Sequence, residues 1–167
     1  MLTPSLLERL STAAKSAFLC ERATGLPAEI TVDQWAIESG WGAASPGNNG
    51  FGIKAYPGCR VQRFPMQEVI ADERKTLTIE FEAFDSHQAC FEKHALLVTC
   101  GAPYARAGAN YAANKDLVSL INEVAPVYAT DPVYVNKLRA VISMQEVPTA
   151  LRSVRSKEVL CSHSPIR

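Results

Sequence analysis

The stretch from Pro27 to Gly40 restricts the fold most, because it reads as a helix with almost no polar face. Ile30, Val32, Trp35, Ala36 and Ile37 are spread around its turns, and a helix apolar on every side needs neighbours on every side. Proline suits the first helical position, where the backbone N–H would have no intrahelical partner anyway. The rest of the chain must therefore pack around this element. With 167 residues, the sequence suits one compact domain organised about such a helix.

The flanking segments supply the partners. Residues 4 to 23 form an amphipathic helical pattern closed by Gly25. The segment GWGAASPGNNGFGIKAYPG is punctuated by glycine and proline and reads as a long ordered loop. From Val61 to Phe84 the periodicity changes. Leu77, Ile79 and Phe81 alternate with Thr78, Glu80 and Glu82, which predicts one strand, and VQRFPMQEVI before it predicts its hairpin partner. Asp85-Ser86 caps a helix running to Cys100. A further helix fits Ala113 to Val124, and Asp131-Pro132 opens the last, with Tyr134, Leu138 and Val141 on one face. The expected class is α+β, a mainly helical body with a small β-hairpin. A domain over residues 1–145 is followed by a polar tail, 146–167, rich in serine and basic residues and read as disordered or draped over the surface.

Composition removes several kinds of function. Seventeen basic residues balance seventeen acidic ones, so the charge footprint of a nucleic-acid binder is missing. No apolar run reaches the roughly 18 residues of a membrane span. The opening MLTPSLLERLSTAAKSAFLCERATG carries charges inside its apolar stretch, unlike a secretory signal. Five cysteines are an odd number without a CxxC pair. Cys90 and Cys100 share one predicted helix about 15 Å apart, too far for a disulfide. Most of the cysteines read as small buried apolar residues.

The candidate chemistry centres on Glu38. A carboxyl at the end of the most apolar helix is desolvated, which favours its protonated form and suits it to donate a proton. Trp35 and Trp41 stand three residues to either side, and Gly40 and Gly42 leave room for a polymer to approach. A glutamate at a helix end can equally be a plain surface residue, so the local pattern leaves both readings open. His87, Cys90 and His94 share a helix face and form a rival zinc constellation, but they lack a fourth ligand and an HExxH motif. No metal or other cofactor is expected.

The strings AIESGWG, NNGFGIKA, FEAFDSHQACFEKHALLV and YATDPVYVNKL occur in that order. Together they resemble the bacterial glucosaminidase family (glycoside hydrolase family 73), which includes flagellar rod-hydrolase domains and autolysins. The resemblance spans about residues 5 to 145. It implies a lysozyme-like fold, the hairpin lobe flanking a cleft, and endo-β-N-acetylglucosaminidase activity on the glycan strands of peptidoglycan. Within it, Glu38 takes the place of the catalytic acid. Asn49, Phe51, Gly52, Ile53 and Lys54 form the family loop, Glu68 matches a second acidic residue in the hairpin, and Tyr128 matches the cleft tyrosine. Glu68 also shares strand parity with Phe64, Met66 and Ile70. Glu80 is the reserve candidate, while Glu80 and Glu82 otherwise read as the solvated face. Trp41 and Phe51 offer flat surfaces for sugar rings or belong to the core, and Tyr104 and Tyr111 are further cleft candidates. An N-acetylmuramidase, a lytic transglycosylase and a non-catalytic wall-binding module are the competing readings. The expected protein is a monomer acting on the cell wall, delivered by phage lysis, a secretion system or another route.

Overall fold

The structure is a computed structural model that describes residues 2–70, 73–129 and 131–162; the side chains of residues 66–75 and 158–162 lie outside that description. Among the described residues seven α-helices and one hairpin follow in the order α1 (Pro4–Thr24), α2 (Ala28–Glu38), β1 (Val61–Ile70), β2 (Glu73–Glu82), α3 (His87–Cys100), α4 (Ala105–Asn114), α5 (Leu117–Tyr128), α6 (Tyr134–Ile142) and α7 (Glu146–Ser162), with a short 3-10 turn at Pro46–Asn48 before the hairpin. The helical body and the antiparallel β1–β2 hairpin match the expected α+β class.

Helix α2 is the hub. Every residue from Ile30 to Ala36 is buried, and the helix packs against α1, α3, α6 and α7. Burying a side chain such as Ile30 or Trp35 contributes about 1.5–3 kcal/mol or more each, which is why an all-round apolar helix takes the centre. Local signals set the ends of its neighbours. The Thr3 hydroxyl caps α1 at the front, and Gly25 closes it in the left-handed conformation, φ 78°, donating its N–H to Glu21 O. Ser86 accepts from Ala89 N–H at the start of α3.

Beyond Glu38 the chain turns sharply through three left-handed residues, Gly40, Trp41 and Gly42. The Trp41 N–H reaches back to Ala36 O, and Arg9 Nε holds Trp41 O at 2.9 Å. The loop then lies on the Trp35 indole, with Gly42 and Gly50 against the ring. A Cβ at Gly42 would stand 2.7 Å from Trp35 Cζ2 on a backbone of φ +75°. Gly42→Ala is therefore expected to destabilise the fold by about 1–3 kcal/mol, read as a lower melting temperature, because strain and overpacking act together.

Two predicted features differ from those observed. One helix was expected from Ala113 to Val124. The chain instead breaks at Lys115, φ 56°, and restarts at Asp116, whose carboxylate accepts from Val118 and Ser119 N–H. The segment after Gln145, expected to be disordered or draped, is helical to Ser162. Val147 and Leu151 of α7 are fully buried, and Arg155 bridges Glu21 of α1 and Glu29 of α2 at 2.8–2.9 Å.

The cysteines follow the sequence expectation in part. Cys20 and Cys90 are buried thiols, whereas Cys59 is half-buried and Cys100 exposed; all four are free.

Candidate active site

Glu38 ends α2 and, although exposed, lines a cleft of about 360 Å³ between the body and the hairpin. Ala44, Pro46, Asn49 and Gly52 come from the loop, and Gln62, Phe64 and Phe81 from the hairpin. The hairpin is fixed over this position from below. Ala55 N–H bonds Glu80 O, Glu82 N–H bonds Ile53 O, and Lys54 bridges Phe81, so the loop adds a short edge to β2. Gln62 Nε2 reaches Pro46 O at 2.7 Å.

Burial raises the Glu38 pKa above the ordinary glutamate value, opposed by a hydrogen bond from Tyr134 and the charge of Lys137. The Tyr134 hydroxyl donates to Glu38 Oε1 at 2.7 Å. Tyr134 opens α6, Lys137 lies one turn later, and Asp131 sets the helix start by accepting from Val133 N–H. Glu38 therefore has one oxygen held by a phenol, and the other has no hydrogen-bond partner among the described residues and can carry a proton. That arrangement serves an acid that must donate from a fixed direction.

The sequence pointed to Tyr128, but the tyrosine touching the acid is Tyr134, which the sequence pattern places with Leu138 and Val141 on one face of the helix after Asp131-Pro132. The Tyr128 hydroxyl instead donates to Phe51 O at 3.4 Å, and its ring stacks on Tyr134 at 5.8 Å. Tyr104 is close enough to both phenols to raise their pKa values electrostatically. The two aromatics proposed as sugar platforms have other roles. Phe51 is buried, stacked on His94 at 3.9 Å and edge-on to Phe91 at 4.9 Å. Trp41 is half-buried against the core, Trp35 is fully buried beneath the loop, and neither is among the residues lining this cleft. Phe64 and Phe81 line the cleft instead, and the alternation of β1 and β2 was the signal that carried them.

Asn49 does border the cleft, yet its amide is engaged with backbone: Nδ2 donates to Ile53 O and Glu82 O, and Oδ1 accepts from Ile53 N–H. It holds the cleft wall. Gly52, at φ +63°, lines the cleft where a side chain would be strained. Glu82 departs from the solvated face expected of it. It is 8% exposed because the loop covers the end of β2, and its Oε2 has no partner among the described residues. Glu80 is half-exposed and paired with Arg63 at 2.8 Å. Glu68 lies in β1 opposite Lys75, and its side chain falls outside the described residues.

The zinc constellation is divided among different partners. His94 Nε2 meets Gln34 Oε1 at 3.0 Å, the Cys90 thiol faces Asn49 Oδ1, and His87 lies near the Phe91 ring. Among the described residues no three metal-ligating side chains converge. No described helix is long and apolar enough to cross a membrane.

A helical body, a hairpin across a cleft and a glutamate at the end of the central helix are the arrangement of a lysozyme-like glycoside hydrolase. More narrowly, the chain belongs to the glucosaminidase family: the model of that family, described as mannosyl-glycoprotein endo-beta-N-acetylglucosaminidase, matches residues 14–146. It is 30% identical over 145 residues to peptidoglycan hydrolase FlgJ of Salmonella typhimurium, covering 81% of this chain and 44% of that protein. It is 31% identical over 162 residues to exo-glucosaminidase LytG of Bacillus subtilis, covering 86% and 55%. The chain thus spans about half the length of the curated relatives it matches. The crystal structure of a peptidoglycan hydrolase mutant from Sphingomonas sp. A1 is similar with a TM-score of 0.71 and 28% identity, over 88% of this chain and 99% of that one.

Proposed function

We propose that this domain hydrolyses the glycan strands of peptidoglycan as an endo-β-N-acetylglucosaminidase, cutting the GlcNAc-β-1,4-MurNAc bond with Glu38 as general acid. The observation that carries the proposal is the Glu38 carboxyl at the end of α2, held by Tyr134 on one oxygen and lining the cleft. The family description and the activities named for the relatives support the substrate class. In the reaction, Glu38 gives its proton to the glycosidic oxygen as the C1–O bond breaks. A water molecule adds to C1 and loses a proton to a second group. Glu68 is the candidate for that group. It shares strand parity with Gln62 and Phe64, which line the cleft, whereas Glu80 belongs to the opposite face with Arg63. A base acting through water calls for carboxyls about 6.5–9.5 Å apart and inverts the anomeric centre. The wall lies outside the cell membrane, so the protein reaches it by lysis, by a secretion system or by another export route.

Borohydride labelling of the ends released from purified peptidoglycan, followed by mass spectrometry, tests the bond assignment. Labelled GlcNAc is the expected end. Labelled MurNAc would make the domain a muramidase, and a 1,6-anhydro end would make it a transglycosylase, in which the sugar's own hydroxyl replaces water. In the same assay Glu68→Gln is expected to lose most of its turnover, while Glu80→Gln retains it.

A further inference from the structure

We propose that Gln62 is a specificity-determining residue of the cleft, recognising the 2-acetamido group of a bound sugar by accepting a hydrogen bond from its N–H at Oε1. The inference rests on the reading of the cleft as the site for peptidoglycan glycan strands. Gln62 stands on β1 directly opposite Phe81 of β2, and Phe64 follows two residues along β1. The three side chains therefore share one face of the hairpin, and all three line the cleft. Each is half-buried.

The neighbours of the Gln62 amide fix which way it points. Its Nε2 donates to Pro46 O at 2.7 Å and to Glu82 O at 3.2 Å. Both neighbours are backbone carbonyls, which only accept, so the NH₂ must face them and both its hydrogens are used. Glu82 O also accepts from Asn49 Nδ2 at 2.9 Å, so one carbonyl anchors the amides of both cleft walls. The Gln62 amide lies over Gly47, where a Cβ would stand 2.7 Å from Cδ and Nε2 and closer still to Oε1. Oε1 accepts from no described residue and is not sealed in the interior, so it is the amide atom left for a ligand. Gln62 thus offers the cleft a fixed acceptor and no donor. The surface beside it is apolar: the Phe64 and Phe81 rings stand 6.2 Å apart, inclined at 54°, with Ala44 and Pro46 across the cleft. A sugar hydroxyl would bring its own acceptor oxygen there with nothing to donate to it. A trans acetamide carries its N–H and its methyl on the same edge of the plane. The N–H can meet Oε1 while the methyl rests on the phenylalanines, the combination of one placed polar group and apolar wall that selects a ligand.

Affinities for two synthetic GlcNAc–MurNAc tetrasaccharides test the assignment, measured on the full chain carrying Glu38→Gln so that binding is read without turnover. One sugar has its natural 2-acetamido groups. The other has 2-O-acetyl esters, which keep the carbonyl and the methyl and remove only the N–H. The amide is expected to bind about five- to tenfold more tightly than the ester, the scale of one net hydrogen bond. Adding Gln62→Met, checked for folding by its melting curve, should weaken the amide by about that factor and leave the ester within about twofold. Equal affinity of the two sugars for native Gln62, or a Gln62→Met protein that keeps the preference or loses both sugars alike, overturns the proposal. Saturation-transfer NMR with Gln62 in place is an independent check. An acetamido methyl should be among the most strongly saturated sugar protons, and saturation confined to ring protons overturns the assignment. A chain that cleaves peptidoglycan but does not bind the amide sugar also overturns it. An unaltered chain that cleaves no peptidoglycan would instead remove the functional reading beneath it, a separate failure.

Discussion

Glu38→Gln is expected to leave a folded protein whose turnover of peptidoglycan falls by about a hundredfold or more, the scale of a lost general acid. The amide keeps the shape of the side chain and still offers an oxygen to the Tyr134 hydroxyl, so the geometry at 2.7 Å survives. What disappears is the transferable proton. Stability should hold or rise slightly. The folded pKa of Glu38 is raised, so the native state holds a proton that the unfolded chain releases, and this costs stability as pH rises from the unfolded pKa through the folded one. Glutamine removes that cost. For the active enzyme the same raised pKa carries the alkaline limb of the rate profile above the ordinary glutamate range. Near-normal turnover by Glu38→Gln, in a preparation free of other hydrolases, would exclude Glu38 as the acid.

The sequence made the centre of this protein legible because its signals there are redundant. The α2 pattern is apolar on every side, Glu38 sits at its end, and glycines follow where the chain must turn tightly. The hairpin was equally plain from the alternation of Leu77, Ile79 and Phe81. What escaped was information carried by contact and not by pattern. Tyr128 and Tyr134 are both aromatic residues near a helix boundary, and nothing in their pattern decides which hydroxyl meets Glu38. Phe51 in a glycine-rich loop looked like a sugar platform, but His94, 43 positions later, provides a buried face for it. Glu82 looked solvated by strand parity until the loop at 49–55 closed over the end of β2. Helix α7 was missed for a different reason. Val147, Leu151 and Val154 repeat at four and three residues, a stripe that its serines and basic residues hide in any averaged composition.

Asp33→Asn should make the protein more stable at pH 8, by an amount that shrinks toward zero or reverses near pH 4. Asp33 lies on α2 with no exposed surface, and neither carboxyl oxygen has a partner among the described residues. Burial, reinforced by Glu29 one turn earlier, pushes its pKa up to about 8 from 3.8. In the unfolded chain the group ionises near the ordinary value, whereas in the folded protein it stays protonated. Below both values the two states bind the same proton and nothing is lost. Between them each pH unit removes up to about 1.4 kcal/mol from the folded state, and above about 8 the loss levels off. A window of about four units sets an upper bound of roughly 5 kcal/mol, lowered by any relaxation that admits water to the carboxyl. Asparagine cannot ionise, so its variant escapes the pH-dependent part, although its buried amide still lacks partners and costs about 1–3 kcal/mol at every pH. The discriminating quantity is therefore the slope. Urea unfolding of the two proteins at pH 4, 6 and 8 should show wild type losing stability relative to Asp33→Asn across that range. Parallel curves would mean that Asp33 is ionised in the folded state and paired with a cation or water that stabilises its charge.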